Sequence, residues 1–348
     1  MTIYINGRFL TKAVTGVQRF AIEVVKQLDR MNLKEKIIIL VPQDMQETFD
    51  LKNIEILKVG KLKGNLWEQV SLPMFLCGKQ NYKLLNLCNL GPLLNPGYVA
   101  IHDISFKTNS QHLNWKFSLY YRLLTRLNIK RYKHIYTVSE FSKNEIIKNY
   151  KVNKDKISVT YNAAEHLNNI EIDYTIINKL NLEGKKFAFS LGSKSLHKNH
   201  KFIEKCAKNN PDFLFVVSGD NNSKVFNSED QEELKNIIYT GRITDSQMKG
   251  LYSTCKAFIF PSLYEGFGIP PLEAMICGCK NVVVSNIPVF KEIYADNVKY
   301  IDLKDEENES KNILEKINQN IIINEHEIKK YTWLRTTEII MKNMNIQK

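Results

Sequence analysis

The sequence predicts an α/β fold in two domains, each on a mostly parallel sheet, and three observations carry the prediction. Strand-like apolar runs alternate with helix-like runs from end to end, the order that layers helices over parallel strands. The chain has 348 residues, 43% of them hydrophobic, more than one core of ordinary size holds. A polar stretch after Asn162, through Asn168, Asn169 and Gly184, interrupts the alternation before the apolar run Phe187–Leu191, as a linker does.

In the first half the apolar runs place strands at Thr2–Ile5, Lys36–Val41, Ile54–Leu57, Lys83–Leu87, Tyr98–Ile101, His134–Val138 and Lys156–Thr160. A helix follows Gly16, with Val17, Phe20, Ala21, Val24, Val25 and Leu28 on one face, and another covers Trp115–Tyr132. Ser139 reads as a helix N-cap. The second half resumes with strands at Phe187–Leu191, Phe213–Val217, Ile237–Tyr239 and Ala257–Phe260, a helix opened by Thr244-Asp245-Ser246-Gln247 in capping-box order, and a helix from Pro271. The expected domains are 1–165, 180–320 and a terminal helix, 325–348.

Composition narrows the function. The formal charge is +12, from 49 Lys and Arg against 37 Asp and Glu, which favours anionic partners. Between Ile104 and Ser139 no acid occurs, while Lys107, Lys116, Arg122, Arg126, Lys130, Arg131 and Lys133 do, interleaved with Trp115, Phe117, Tyr120 and Tyr121. This stretch, Lys107–Lys133, is either a membrane-surface helix or a packed helix showing its bases to water. No nucleic-acid recognition motif accompanies the charge. No apolar run approaches the roughly 18 to 20 residues of a membrane span, and residues 1–7 have no signal-peptide pattern, so a cytoplasmic protein is expected, peripheral on the inner face of the plasma membrane if that helix binds lipid. The cysteines at 77, 88, 206, 255, 277 and 279 lack zinc or thioredoxin spacing and read as buried, reduced thiols.

The densest feature runs from Phe258 through Pro261-Ser262-Leu263-Tyr264-Glu265-Gly266-Phe267-Gly268-Ile269-Pro270-Pro271-Leu272-Glu273 to Met275. A buried strand ends, a glycine loop follows, and a helix begins, the place where open α/β sheets bind ligands. Gly266 and Gly268 admit a ligand close to the backbone, and the amides at the helix start suit phosphate or sugar hydroxyls. Glu265 is either a ligand group or a solvated loop charge; Glu273 is either a ligand group or a partner of the helix dipole.

With its Glu265-x7-Glu273 spacing, this segment resembles the retaining glycosyltransferases of the GT-B fold, the family 4 group (glycosyl transferases group 1). The resemblance implies two facing Rossmann-like domains with a cleft between them, 1–165 binding the acceptor and 180–320 the nucleotide sugar, and a C-terminal helix, around Tyr331-Thr332-Trp333, that crosses back to the first domain. It implies that Glu273 binds the donor ribose, and that Glu265 with Gly266, Phe267, Gly268 and Ile269 holds the donor sugar. Gly192-Ser193-Lys194-Ser195-Leu196-His197-Lys198 is similar to the family's diphosphate loop, with Gly192, Ser193 and Lys194 as donor contacts and Lys198 as the cation that stabilises the leaving diphosphate. Ser193 and His197 stand where many members have arginine. Gly16 is similar to the first-domain glycine beside the diphosphate, Arg19 is either a cleft cation or a surface residue, and His102 in Ile101-His102-Asp103 matches a histidine that touches the donor sugar.

The resemblance implies catalytic roles for His102, Lys198 and Glu265, and a same-face attack in which a donor phosphate oxygen takes the acceptor proton. It implies no cofactor. No Asp-x-Asp triplet occurs, so no metal is expected. The expected substrates are a nucleotide sugar (GDP-mannose, dTDP-rhamnose or a UDP-hexose) and a glycan or lipid-linked glycan acceptor, in O-antigen or capsule synthesis. The rival readings are a non-catalytic scaffold subunit of a polysaccharide assembly complex and, without its own glutamate and histidine set, a nucleotide-sugar 2-epimerase.

Overall fold

A computed structural model describes residues 1–45, 50–112, 114–192, 196–219, 234–319 and 321–348. The chain divides into two compact units, Met1–Asn162 with Thr332–Lys348, and Ala163–Tyr331.

The first unit is a seven-stranded parallel sheet in the order β3-β2-β1-β4-β5-β6-β7. Its strands are β1 Thr2–Asn6, β2 Lys36–Val41, β3 Glu55–Lys58, β4 Tyr82–Asn86, β5 Tyr98–Ala100, β6 Ile135–Thr137 and β7 Ile157–Val159. The inner strands read as unbroken apolar runs because helices cover both faces: Ile37 to Val41 are all buried. Helix α1, Gly16–Arg30, buries Phe20, Ala21, Val24, Val25 and Leu28, the stripe its periodicity predicts. Helix α2 spans Trp115–Asn128, ending before the predicted Tyr132, and α3 spans Glu140–Tyr150 with Ser139 accepting the Ser142 amide at 3.0 Å.

The second unit is a six-stranded parallel sheet in the order β10-β9-β8-β11-β12-β13. Its strands are β8 Phe187–Leu191, β9 Leu214–Ser218, β10 Ile237–Gly241, β11 Ala257–Phe260, β12 Val282–Ser285 and β13 Lys299–Ile301. The last two were not expected from the sequence. The helices that concern the site are α4 His200–Asn209, α5 Asp245–Thr254, α6 Ile269–Ile276 and α7 Pro288–Tyr294. The capping box of α5 forms as read, with Thr244 Oγ1 accepting the Gln247 amide at 3.2 Å and the Thr244 amide donating to Gln247 Oε1 at 3.1 Å.

Helix α8, Trp333–Met344, belongs to the first unit. Trp333 is buried, with its ring 6.1 Å from that of Phe20 on α1. Thr336 Oγ1 donates to the Tyr161 carbonyl, and Tyr136 Oη donates to that of Ile340 at 3.2 Å. The short helix Glu325–Lys329 lies in the second unit, so the expected single segment 325–348 is divided at Thr332, the N-cap of α8.

The thiol expectation needs correction: Cys206 and Cys279 are buried, Cys77 is exposed, and Cys88, Cys255 and Cys277 are half-buried. Hydrophobic patterning alone does not decide which thiols the core covers.

Trp333→Ala should lower the stability of the first unit by about 3–5 kcal/mol, because it removes a buried ring that its neighbours cannot replace; urea unfolding followed by circular dichroism measures this.

Candidate functional site

In the second sheet the chain order reverses between β8 and β11: β9 and β10 extend to one side, β11 to β13 to the other. The loops leaving the carboxyl ends of β8 and β11 meet there, at the position where an open α/β sheet usually takes its ligand. The first loop brings Lys198, the second Glu265, 67 residues later, and Lys198 Nζ lies 2.5 Å from Glu265 Oε1. The Leu263 amide donates to the His197 carbonyl at 2.7 Å, which fastens one loop to the other. Lys198 Nζ also lies 4.7 Å from the centre of the Phe260 ring, an attraction between a cation and a π face. Two residues predicted for the donor diphosphate and donor sugar are therefore in direct contact.

Backbone approach explains the glycines. The Gly192 amide donates to Ser218 O at 2.5 Å, and that of Gly219 to Gly241 O at 2.9 Å. A Cβ on Gly219, at φ +134°, would stand 2.0 Å from Gly192 O, a clash that only glycine avoids. Gly192 was expected at the site; Gly219 was not, although its place after a strand, in Ser218-Gly219, is a signal the sequence offered. Ser193 and Lys194 lie outside the described residues.

The glycine loop before α6 differs from expectation in one physical respect. The helix starts at Ile269, with Gly268 at φ +88° as its N-cap, so Pro270 and Pro271 occupy its first turn. Proline has no N–H. The two prolines therefore leave the first turn two amide donors short of an ordinary helix start. The side chains of Phe267 and Ile269 are buried, Phe267 edge-on to Tyr331 at 5.5 Å, and the Tyr294 hydroxyl donates to Gly268 O. The loop's shape is thus held by the core.

Starting two residues early also moves Glu273 from the first helical turn to the second. Its carboxylate is 6% exposed; Oε2 accepts from Tyr252 Oη at 3.1 Å, and Oε1 lies 3.2 Å from His166 Nε2. Tyr252 is itself fixed by the rings of Phe189 and Phe258, at 5.3 and 5.1 Å. Burial, then the charge of Glu273, pushes the Tyr252 phenol well above its ordinary pKa, so it stays a donor to the carboxylate. A carboxylate has about four acceptor positions, which leaves room for a ligand hydroxyl. Sequence reading missed His166 and Tyr252, whose only signals were proximity to Tyr161-Asn162-Ala163 and an aromatic on α5.

Three predicted residues belong to the first unit. Gly16 is the first residue of α1 and exposed. Arg19 lies one turn on, with Nη1 3.8 Å from Glu23 Oε1. His102 is 4% exposed, edge-on to Phe20 at 4.8 Å, with Nε2 2.9 Å from Leu87 O. A carbonyl only accepts, so Nε2 carries the proton and Nδ1 is the nitrogen left for a ligand. Burial, only partly opposed by the bond to Leu87, lowers the His102 pKa.

His102 links stability to pH. Its folded pKa is below the ordinary value of about 6.5, so the unfolded chain takes up the proton first as pH falls; the contribution is complete above pH 6.5 and is lost as pH drops toward the folded pKa. Stability should decline as pH falls below about 6.5, and His102→Gln should flatten part of that slope. His134, shifted down by burial and then by Lys156, supplies a further part that the variant leaves intact. Urea titrations at several pH values test both statements.

The pattern of the family described as Glycosyl transferases group 1 matches residues 173–332. The O-antigen chain mannosyltransferase RfbU of Salmonella typhimurium is 32% identical over 221 residues, 62% of this chain and 59% of RfbU; the chain spans about three fifths of that relative's length. The serotype-specific mannosyltransferase WbdA of Escherichia coli is 53% identical over 57 residues, 16% of this chain and 7% of WbdA. Among solved structures, Anabaena HepE in complex with UDP and glucose superposes with a TM-score of 0.69 at 16% identity, over 99% of each chain. With Lys198 and Glu265 brought together at the reversal of a parallel sheet inside the matched residues, residues 173–332 carry the pattern of glycosyl transferases group 1, and the chain has the GT-B fold.

Proposed function

We propose that the chain is a retaining hexosyltransferase that takes a sugar from a nucleotide diphosphate donor and places it on a glycan hydroxyl during O-antigen synthesis. The observation that carries this reading is the Lys198–Glu265 contact at the β8/β11 reversal. A cation beside a carboxylate, under a glycine loop, suits a ligand that is anionic at one end and polyhydroxyl at the other. Lys198 exchanges Glu265 for the donor diphosphate and stabilises the negative charge that develops as the sugar leaves. Glu265, released, accepts from donor sugar hydroxyls together with the Gly266–Ile269 backbone, and Glu273 accepts from the ribose. The leaving charge is met by Lys198, so metal is not required. Orientation and charge stabilisation then supply the catalysis, with a donor phosphate oxygen as the base.

RfbU and WbdA are both named mannosyltransferases, which puts GDP-mannose first among candidate donors, ahead of dTDP-rhamnose and the UDP-hexoses. A lipid-linked acceptor is supported by α2. Trp115, Leu119, Leu123 and Leu127, spaced by four on this helix, are 67%, 58%, 55% and 49% exposed. Such an outward apolar stripe among bases suits the surface of an anionic membrane. Two of the bases serve the fold instead: Lys107 Nζ donates to Asn149 O at 2.8 Å, and Arg122 Nε to Phe106 O at 2.8 Å. No helix of the described residues is long and apolar enough to cross a membrane.

Thermal shift against GDP, UDP, dTDP and ADP, with EDTA present, tests the donor reading. One nucleotide should raise the melting temperature, by the equivalent of about 2.7 kcal/mol at a hundredfold excess over Kd, and Lys198→Ala and Glu273→Ala should abolish the rise. Glu265→Gln should act oppositely on binding, strengthening nucleotide affinity roughly two- to fivefold because Lys198 loses its internal partner, while sugar transfer falls. Absence of any rise at millimolar nucleotide would turn the assignment toward the scaffold reading.

Sedimentation with phosphatidylglycerol vesicles tests the lipid contact. The protein should pellet with them at low salt, and Leu119→Ser with Leu123→Ser should reduce the bound fraction several-fold; equal pelleting of the variant would exclude α2 as the contact.

A further inference from the structure

The C-terminal ends of the two helices that hold Tyr252 and Glu273 bring together three of the chain's six thiols. Cys255 caps α5 and Cys277 caps α6; Gly278, at φ +92°, then turns the chain toward Cys255. The Cys255 thiol donates to the Cys279 sulfur across 3.6 Å. The two residues are 24 positions apart, and only the packing of α5, β11 and α6 makes them neighbours. Among the described residues no group of three His, Cys, Asp or Glu is placed to hold a metal ion, so the cluster is read as a dithiol.

The surroundings distinguish the sulfurs. The bond from Cys255 holds the Cys279 thiol below the usual range, whereas burial pushes the Cys255 thiol well above it. The proton therefore stays on Cys255, and Cys279 supplies the thiolate, the form that attacks an oxidant. Cys277 is pushed up to about 12 by burial and then by Glu273, and stays a thiol. Cys279 is 2% exposed and Cys255 half-buried, so the approach is past Cys255 and suits a small, uncharged oxidant.

Each sulfur is also tied to the turn that carries a site residue. Cys255 Sγ lies 3.4 Å from Tyr252 O, and the Cys279 amide donates to Ala274 O at 2.9 Å, one residue after Glu273. Tyr252 and Glu273 are joined by their own hydrogen bond of 3.1 Å. A covalent bond brings sulfurs closer than this contact, so closing it draws the ends of α5 and α6 together and moves Tyr252 against Glu273.

We propose that Cys255 and Cys279 form an oxidation site: a peroxide joins them in a disulfide, a thiol reductant reopens it, and the closed form binds nucleotide less tightly. The effect on nucleotide rests on the transferase reading above, through Glu273. The Cys279 thiolate attacks one peroxide oxygen and the O–O bond breaks; the hydroxide released takes up the proton Cys279 had lost and leaves as water. Cys279 is then a sulfenic acid. The Cys255 sulfur attacks the Cys279 sulfur, the S–O bond breaks, and the departing hydroxide takes the Cys255 proton as a second water. Two thiols are oxidised to one disulfide and the peroxide is reduced to water.

The reduced full chain would be treated with hydrogen peroxide equimolar to protein, then alkylated in denaturant, digested and examined by mass spectrometry. The thiol count should fall by two from the six of the reduced chain, with Cys255 and Cys279 in one linked peptide that dithiothreitol separates. Cys255→Ser should lose the link and Cys277→Ser should keep it, both melting near wild type. A full thiol count after peroxide, or a link through Cys277, would overturn the site. Calorimetry with GDP, UDP, dTDP and ADP on the same samples should show nucleotide affinity about threefold or more weaker after oxidation, restored by dithiothreitol and unchanged by peroxide in Cys255→Ser. Equal affinity in the linked and reduced forms would overturn the effect on nucleotide. A reduced chain that binds none of the four counts against the transferase reading, while the linked peptide still decides the oxidation site.

Discussion

A parallel sheet must reverse its strand order somewhere if both halves are to be covered by helices, and at that point neighbouring loops part instead of crossing. Each unit is arranged around this constraint. Between β8 and β11 it places side by side the loops that deliver Lys198 and Glu265, and the Leu263 to His197 hydrogen bond of 2.7 Å joins them. Between β1 and β4 it leaves a cavity floored by Arg8 and Glu68. The helices and apolar strands serve to hold these loops still.

Both reversals contain an ion pair, and the pairs differ in a way that matters. Arg8 and Glu68 have side chains 10% and 4% exposed, and Asn6 donates a further hydrogen bond to the carboxylate. Breaking a pair so enclosed leaves a charge without water, which makes it a strut of the first unit. Lys198 and Glu265, at 20% and 13%, are closer to solvent. An arriving anion can compensate Lys198 there while Glu265 turns to hydroxyl donors, so this pair is suited to exchange partners. Glu273 is intermediate, buried but held by a phenol and an imidazole that leave acceptor positions open.

Much of the fold was legible because its signals are local. Lys36–Val41, Phe187–Leu191 and Ala257–Phe260 are strands with the predicted bounds, and Thr244 caps α5 through the predicted box. The strands β12 and β13 were not expected: β13 has three residues and opens on a lysine, whereas Val282–Val284 in β12 is as apolar as the runs that were read as strands. The start of α6 was misplaced by two residues. A proline pair reads as a helix beginning at its second member, whereas the positive φ of Gly268 lets the helix start before both.

The sequence by itself determined the class of chain and the motif of its second unit: alternating apolar periods dictate parallel strands under helices, and Glu265, Gly266, Gly268 and Glu273 lie within nine residues of one another. Which partners those residues keep was decided only by the tertiary structure. Glu265 meets a lysine 67 positions away, Glu273 meets Tyr252 and His166, and Arg8 meets Glu68 sixty positions on. None of these pairs is implied by spacing along the chain. They form because strand order, not sequence order, sets which loops become neighbours, and because a buried charge must find its counterpart wherever the packed sheet brings one within reach.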